Sequence, residues 1–156
     1  MTWQEVVEHP SLQDLPFKIE LNGDGNIIMS PTSNSHGGRQ FQIGLFLKQQ
    51  LPQGTVGVEI GVQTSDNVKV PDVVWFTEEH WRIAESEFAC STAPAICVEV
   101  ASTGNTMREL NEKKALYFEA GAQEVWFCDK FGNMSFFTPA GQTATSPMCP
   151  DFPETV

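Results

Sequence analysis

The chain has 156 residues, of which 40% are hydrophobic and 19% charged, a balance at which one compact domain buries a full core without disulfides or metals to staple it. Twenty acidic against nine basic residues, a net charge of -11, speak against a protein that grips nucleic acid through a broad basic surface. There is no apolar run of about eighteen residues, and Met1–Pro10 lacks the basic head and apolar body of a secretory signal, so a cytoplasmic protein with no membrane partner is expected.

In chain order, Phe17–Leu21 and Asn26–Met29 flank an Asn22-Gly23-Asp24-Gly25 turn and read as a hairpin, because Asn-Gly supplies the positive φ that tight reversals need. From Ser35 to Leu51, Phe41, Leu45, Phe46 and Leu47 recur at helical spacing, and Pro52 and Gly54 close that helix. Val56, Val58, Ile60 and Val62 alternate with Gly57, Glu59 and Gly61, the period of a half-buried strand. Ser65-Asp66-Asn67 turns into a second strand, Val68–Phe76, followed by a short helix or loop at Glu78–Glu87. Ala95–Val100 is apolar apart from Glu99, as befits the centre of a sheet. Thr106 and Glu109 form a capping-box pattern opening a helix that stops at Gly121, before strands at Gln123–Cys128 and Met134–Thr138. The expectation is a single domain over 1–156, with the Pro-, Thr- and Ser-rich stretch 139–156 a loosely attached tail.

Cys90, Cys97, Cys128 and Cys149 form no CxxC pair and His9, His36 and His80 are scattered, which speaks against a zinc site or a disulfide framework. The residues that stand out are carboxylates in apolar runs. Asp72 in Val70-Pro71-Asp72-Val73-Val74 shares a strand face with Val70 and Val74, and Glu99 sits within Ile96–Val100. A carboxylate there is costly to bury unless paired or metal-bound; the plain alternative is a strand-end residue or a structural salt bridge. In the helix after Glu99, Lys113 and Lys114 fall on the side of Leu110, Leu116, Tyr117 and Ala120, the face that packs on the sheet. Two ammonium groups pointing that way call for an anionic partner, or snorkel to water. Two carboxylates at neighbouring strand ends, with the backbone carbonyl of Val100 and waters, make an oxygen site suited to Mg²⁺, for which Mn²⁺ substitutes. No GxSxG, HExxH or phosphate-loop pattern competes.

The order of "IELNGDGNIIMSP", "SHGGRQ", "VPDVVWF", "ICVEVAS" and "EKKALYFEAGAQEVWFCD" resembles the bacterial family of putative restriction endonucleases, a branch of the PD-(D/E)xK nucleases, from about Phe17 to Phe137. The resemblance implies an α/β, restriction-endonuclease-like core, a mixed central sheet flanked by helices, with DNA as the substrate and metal-dependent endonuclease cleavage as the activity. It implies that the catalytic lysine, absent at Ala101, comes from the next helix, four residues before Tyr117. That is Lys113, with Lys114 the alternative. Glu20 matches an early glutamate and becomes a further metal ligand, while His36 and Arg39 match a segment with a phosphate-facing role or an ordinary exposed loop.

Where such families give serine-proline, this chain has Ala101-Ser102-Thr103-Gly104, which bears on how the lysine helix is placed. The charge balance keeps open a non-catalytic interaction module on the same fold, and a hydrolase acting on a small phosphorylated compound. Nucleases that reach both strands favour a homodimer, for which Trp3, Phe136 and Phe137 are the candidate exposed aromatics.

Overall fold

The computed structural model of the protein describes residues 1–156. It opens on a helix that sequence reading leaves unassigned, α1 (Trp3–Glu8), started by a capping box between Thr2 and Glu5. Six residues are too few for a helix to hold itself together. Trp3 ties this one down by donating its indole N–H to the Phe88 carbonyl at 2.8 Å. A 3₁₀ turn at Pro10–Leu12 leads to the expected hairpin of β1 (Phe17–Leu21) and β2 (Ile27–Pro31), whose turn uses Gly25 at φ 78°. Helix α2 (Asn34–Gln50) follows, its N-cap Ser33 accepting from the His36 N–H.

The remaining elements are β3 (Thr55–Val58), β4 (Val62–Thr64), β5 (Asn67–Lys69), β6 (Val73–Phe76), α3 (Glu78–Ala84), β7 (Ile96–Val100), α4 (Met107–Glu119), β8 (Glu124–Cys128), β9 (Met134–Thr138) and β10 (Gly141–Thr143). Six of the strands form one sheet in the order β10-β9-β8-β7-β6-β3, while β1–β2 and β4–β5 are separate two-stranded ribbons. Only β7 and β8 run parallel, connected by α4; every other neighbouring pair is antiparallel. The mixed sheet and its flanking helices are the architecture the sequence leads one to expect.

Period-two alternation divides the core. Val73, Trp75, Ile96, Val98, Val100, Trp126 and Cys128 pack with Ile43 and Leu47 of α2 on one face, and Val74, Phe76, Cys97, Val125 and Phe127 pack with Leu110 and Tyr117 of α4 on the other. By parity, Asp72 and Glu99 belong to the α4 face. The capping box of α4 forms as its sequence indicates, with Thr106 Oγ1 accepting from the Glu109 N–H and Glu109 accepting from the Thr106 N–H. Gly121, at φ 112°, then lets the chain leave α4 and enter β8.

Three expectations need correction. The alternating stretch 56–62 is not one strand: Glu59 takes φ 53° and the ladder breaks there, leaving Val58 52% exposed. The stretch 68–76 also divides, because Pro71 has no N–H for a ladder; pairing resumes when the Asp72 N–H donates to the Val98 carbonyl at 2.9 Å. Residues 139–156 do not hang loosely. Buried Glu124 accepts from Trp126 Nε1 at 2.8 Å, from Ser146 Oγ, and from the Met148 N–H at 2.8 Å. Phe152 packs against Trp126, the rings inclined at 56° with centroids 4.7 Å apart, and the Val156 N–H donates to the Gly132 carbonyl at 2.9 Å. No helix is long and apolar enough to cross a membrane.

Candidate active site

Asp72 and Glu99 are brought together because β6 and β7 are antiparallel neighbours, with Val73 opposite Val98. Asp72 leads into β6 while Glu99 lies near the end of β7, so the two acids emerge at the same end of the sheet. Both are buried. They share one cation: Lys18 Nζ of β1 lies 2.9 Å from Asp72 Oδ1 and 3.4 Å from Glu99 Oε2. A second ammonium, Lys113 Nζ from α4, lies 3.4 Å from Glu99 Oε1 and 2.8 Å from Glu20 Oε1. Three carboxylates and two lysines thus alternate in a chain running Asp72, Lys18, Glu99, Lys113, Glu20.

The remaining oxygen valences are directed by fixed donors. Asp72 Oδ2 accepts from the Val100 N–H at 2.7 Å, and the Asp72 carbonyl accepts from Gln40 Nε2 at 3.0 Å. Tyr117, fully buried, donates its hydroxyl to Glu99 Oε1 at 2.6 Å, and Glu20 accepts from the Val70 N–H at 2.7 Å. His36 Nε2 stands 3.3 Å from Asp72 Oδ1 but off the line of a hydrogen bond, and neither ring nitrogen has a hydrogen-bonding partner.

Electrostatics separates the two acids. Burial pushes Asp72 up, but His36 and Lys18 beside it and the Val100 amide bring it down to about 2. For Glu99 burial prevails over Lys113 and Lys18, and with Asp72 and Glu20 nearby its carboxyl is held above the ordinary range. Burial works against the charge on Lys18, yet Glu99, Asp72 and Glu20 together raise it well above the usual lysine value, so its ammonium persists at any physiological pH. Burial, with Glu99 close by, also keeps the Tyr117 hydroxyl protonated.

Of the residues singled out in the sequence, Asp72, Glu99, Glu20 and Lys113 converge. Lys114 does not; its ammonium lies over the Phe137 ring, 4.1 Å from the centroid. His36 reaches the site from inside, only 5% exposed, and so does not face solvent where a phosphate would arrive. Arg39 is directed away, close enough to Asp129 of the β8–β9 turn to lower that carboxyl. Val100 contributes its N–H to Asp72. Lys18, Lys69 and Lys113 turn inward onto oxygens, Arg82 and Arg108 pair with Glu78 and Glu112 along their own helices, and Lys48 donates to the Gly54 carbonyl. The aromatics offered for a homodimer contact are not free either: Phe136 is 2% exposed, and Trp3 and Phe137 are half-buried.

Sequence reading missed Lys18, Tyr117 and Gln40 as site residues. A signal existed for each. Lys18 and Glu20 share one face of β1 with Ile19 between them, Gln40 is one helical turn beyond His36, and Tyr117 is one turn beyond Lys113. Beside the cluster opens a cleft of about 590 Å³, between Ile28 and Met29 of the hairpin, Ser102–Asn105 and α4, which Glu20 and Lys113 border.

A family model described as "Uma2: Putative restriction endonuclease" matches residues 3–147, a span that includes every residue of the cluster. The chain belongs to this family. Among solved structures, a putative nuclease belonging to DUF820 from Anabaena variabilis ATCC 29413 superposes with a TM-score of 0.68, covering 89% of this chain and 80% of its own, at 17% identity. At that identity the likeness shows the fold alone. No curated protein matches the sequence. A metal ion in this Uma2 chain would find hard oxygen donors of the right kind in Asp72, Glu99 and Glu20. No three acidic, histidine or cysteine side chains are gathered into a preformed cage, because Lys18 and Lys113 stand between them. The donor chemistry fits Mg²⁺, which takes one or two carboxylates and keeps its waters.

Proposed function

We propose that the protein is a metal-dependent endodeoxyribonuclease that hydrolyses phosphodiester bonds, with Asp72 and Glu99 holding Mg²⁺ or Mn²⁺ and Glu20 as a further ligand. The observation that carries this reading is the meeting of two buried carboxylates from adjacent strands on a single cation, supported by membership of the family. When bound, a divalent ion polarises the phosphate and acidifies a water.

The chain's own groups supply the rest. The Val100 N–H and Gln40 fix Asp72, Tyr117 fixes Glu99, and burial keeps bulk water from loosening them. Lys113, anchored between Glu20 and Glu99 and bordering the cleft, would steady the negative charge that develops as water adds to phosphorus and the ester oxygen leaves. With Lys18, Lys69 and Lys113 turned inward and a net charge of -11, the protein offers a phosphate backbone little outside the site, so binding to DNA is expected to depend on the metal. Because the aromatics expected at a homodimer contact are buried or half-buried, single-strand nicking by one copy is the activity to test.

Supercoiled plasmid incubated with protein and Mg²⁺ or Mn²⁺ becomes nicked, while Asp72→Asn and Glu99→Gln leave it intact. Equal nicking by all three would overturn the proposal. The net charge of -11 favours a second reading, an interaction module that keeps the fold without cutting. Salt-titrated DNA binding with metal present separates them: a measurable salt slope belongs to the nuclease, and no binding even at low salt to the module.

A further inference from the structure

The oxygens that a divalent ion needs are the ones Lys18 holds. Asp72 Oδ2 is engaged by the Val100 N–H, and Glu99 Oε1 by Tyr117 and Lys113. That leaves Asp72 Oδ1 and Glu99 Oε2, and both face the Lys18 ammonium, at 2.9 Å and 3.4 Å. A magnesium ion binds carboxylate oxygen at about 2.0–2.1 Å, and calcium at about 2.3–2.6 Å. Two cations cannot occupy the same lone pairs of the same two oxygens.

We infer that Lys18 is a tethered competitor for the metal: its ammonium neutralises Asp72 and Glu99 in the metal-free protein, and a divalent ion enters by exchanging with it. This rests on the metal-site reading above and deepens it by assigning the residue that sets cation affinity. Charge favours the exchange. Three carboxylates, Asp72, Glu99 and Glu20, face two ammonium groups, leaving one negative charge in excess. A divalent ion in place of Lys18, with Lys113 retained, brings the cluster to neutrality, whereas adding the ion without moving Lys18 would leave an excess positive charge in a buried place.

Movement of the Lys18 side chain is the route. The side chain has a flexible four-carbon stem, and it projects from the β1–β2 ribbon, which is hydrogen-bonded to no strand of the main sheet. Lys113 does not share this role. Its shorter contact is to Glu20 at 2.8 Å, and it meets Glu99 at Oε1 rather than at the Oε2 that Lys18 holds, so it stays when Lys18 leaves. A competitor of this kind also solves a folding problem: without a cation between them, two buried carboxylates would repel, and the site would be unstable until metal arrived.

The test is Mn²⁺ binding by calorimetry and by electron paramagnetic resonance, on wild type, Lys18→Met and Asp72→Asn. Lys18→Met, with melting temperature lowered in the absence of metal, should bind Mn²⁺ about tenfold or more tightly than wild type and gain more thermal stability from it. Asp72→Asn should bind weakly or not at all. Lys18→Met binding no more tightly than wild type, where wild type binds, overturns the exchange and leaves the metal site standing. Absence of binding by both wild type and Lys18→Met overturns the metal site as well.

A second measurement serves if Lys18→Met does not fold. In wild type labelled with ¹³C-lysine, the Cε resonance missing from the spectrum of Lys18→Arg identifies Lys18, and saturating Mg²⁺ should shift it while the Lys69 resonance stays. A Lys18 signal that does not move when Mg²⁺ binds overturns the inference.

Discussion

Tyr117→Phe isolates a single interaction at the site, because the phenylalanine fills the same buried space and removes only the hydroxyl that Glu99 Oε1 receives at 2.6 Å. No donor is left stranded, so the loss is that of one hydrogen bond to a charged acceptor, about 1.5–3 kcal/mol. For a chain of this length that corresponds to a fall in melting temperature of about 3–12 °C. Denaturant unfolding of the metal-free protein measures the change, and the same substitution in a Glu99→Gln background measures what is specific to the pair. There the acceptor is neutral and the bond is worth about 0.5–1.5 kcal/mol, so the cycle should show a coupling of about 1 kcal/mol. Equal losses in both backgrounds, or a loss below about 0.5 kcal/mol in the first, would refute the assignment of Tyr117 as the group that orients Glu99. Nicking by Tyr117→Phe should be slowed without being abolished, since the substitution leaves every carboxylate in place.

The two neighbouring lysines should behave differently. Lys113→Gln is expected to lower nicking by about a hundredfold, the scale of losing one charged stabilising group, whereas Lys114→Gln should leave nicking unchanged and cost about 0.5–1 kcal/mol of stability from its contact with Phe137; gel assays and thermal melts distinguish them. Glu124→Ala strips acceptors from Trp126, Ser146 and Met148 and should cost about 3–5 kcal/mol, as several buried donors lose their partner. Limited proteolysis should then cut within 139–156 faster than in wild type. The buried thiols should resist alkylation at pH 8 and become reactive in denaturant. Burial raises Cys90 to about 12 and Cys128 and Cys149 to about 11, from an ordinary 9.0. Each raised group contributes stability that is fully present below pH 9 and is lost as pH climbs through 11–12, so unfolding monitored across that window should show declining stability in wild type and a smaller decline in Cys90→Ala.

What could be read along the chain was whatever short-range physics encodes. The apolar run at β7, the capping box of Thr106 and Glu109, the glycine that ends α4 and the alternation that sends Glu99 to the α4 face all depend on neighbours within a turn or a strand. The acids Asp72 and Glu99 were legible for the same reason, as charges among apolar neighbours, and Lys113 because helical spacing puts it on the packing face. Glu59 illustrates the opposite. Its positive φ interrupts a regular apolar alternation and has no local signature, since a residue other than glycine takes that conformation only when its surroundings enforce it.

The sequence by itself determined the type of most elements, the faces they bury and the identity of the acidic pair, because each follows from periodicity and from the cost of burying charge. Only the tertiary structure decided that Lys18 lies between those acids, that Lys114 leaves for Phe137, that His36 faces inward and that the C-terminal residues are held by Glu124. Each of those outcomes is a choice of partner among groups far apart in the chain. It is settled by which oxygens remain unpaired once the sheet and helices have packed, a sum over the whole fold that no local pattern carries.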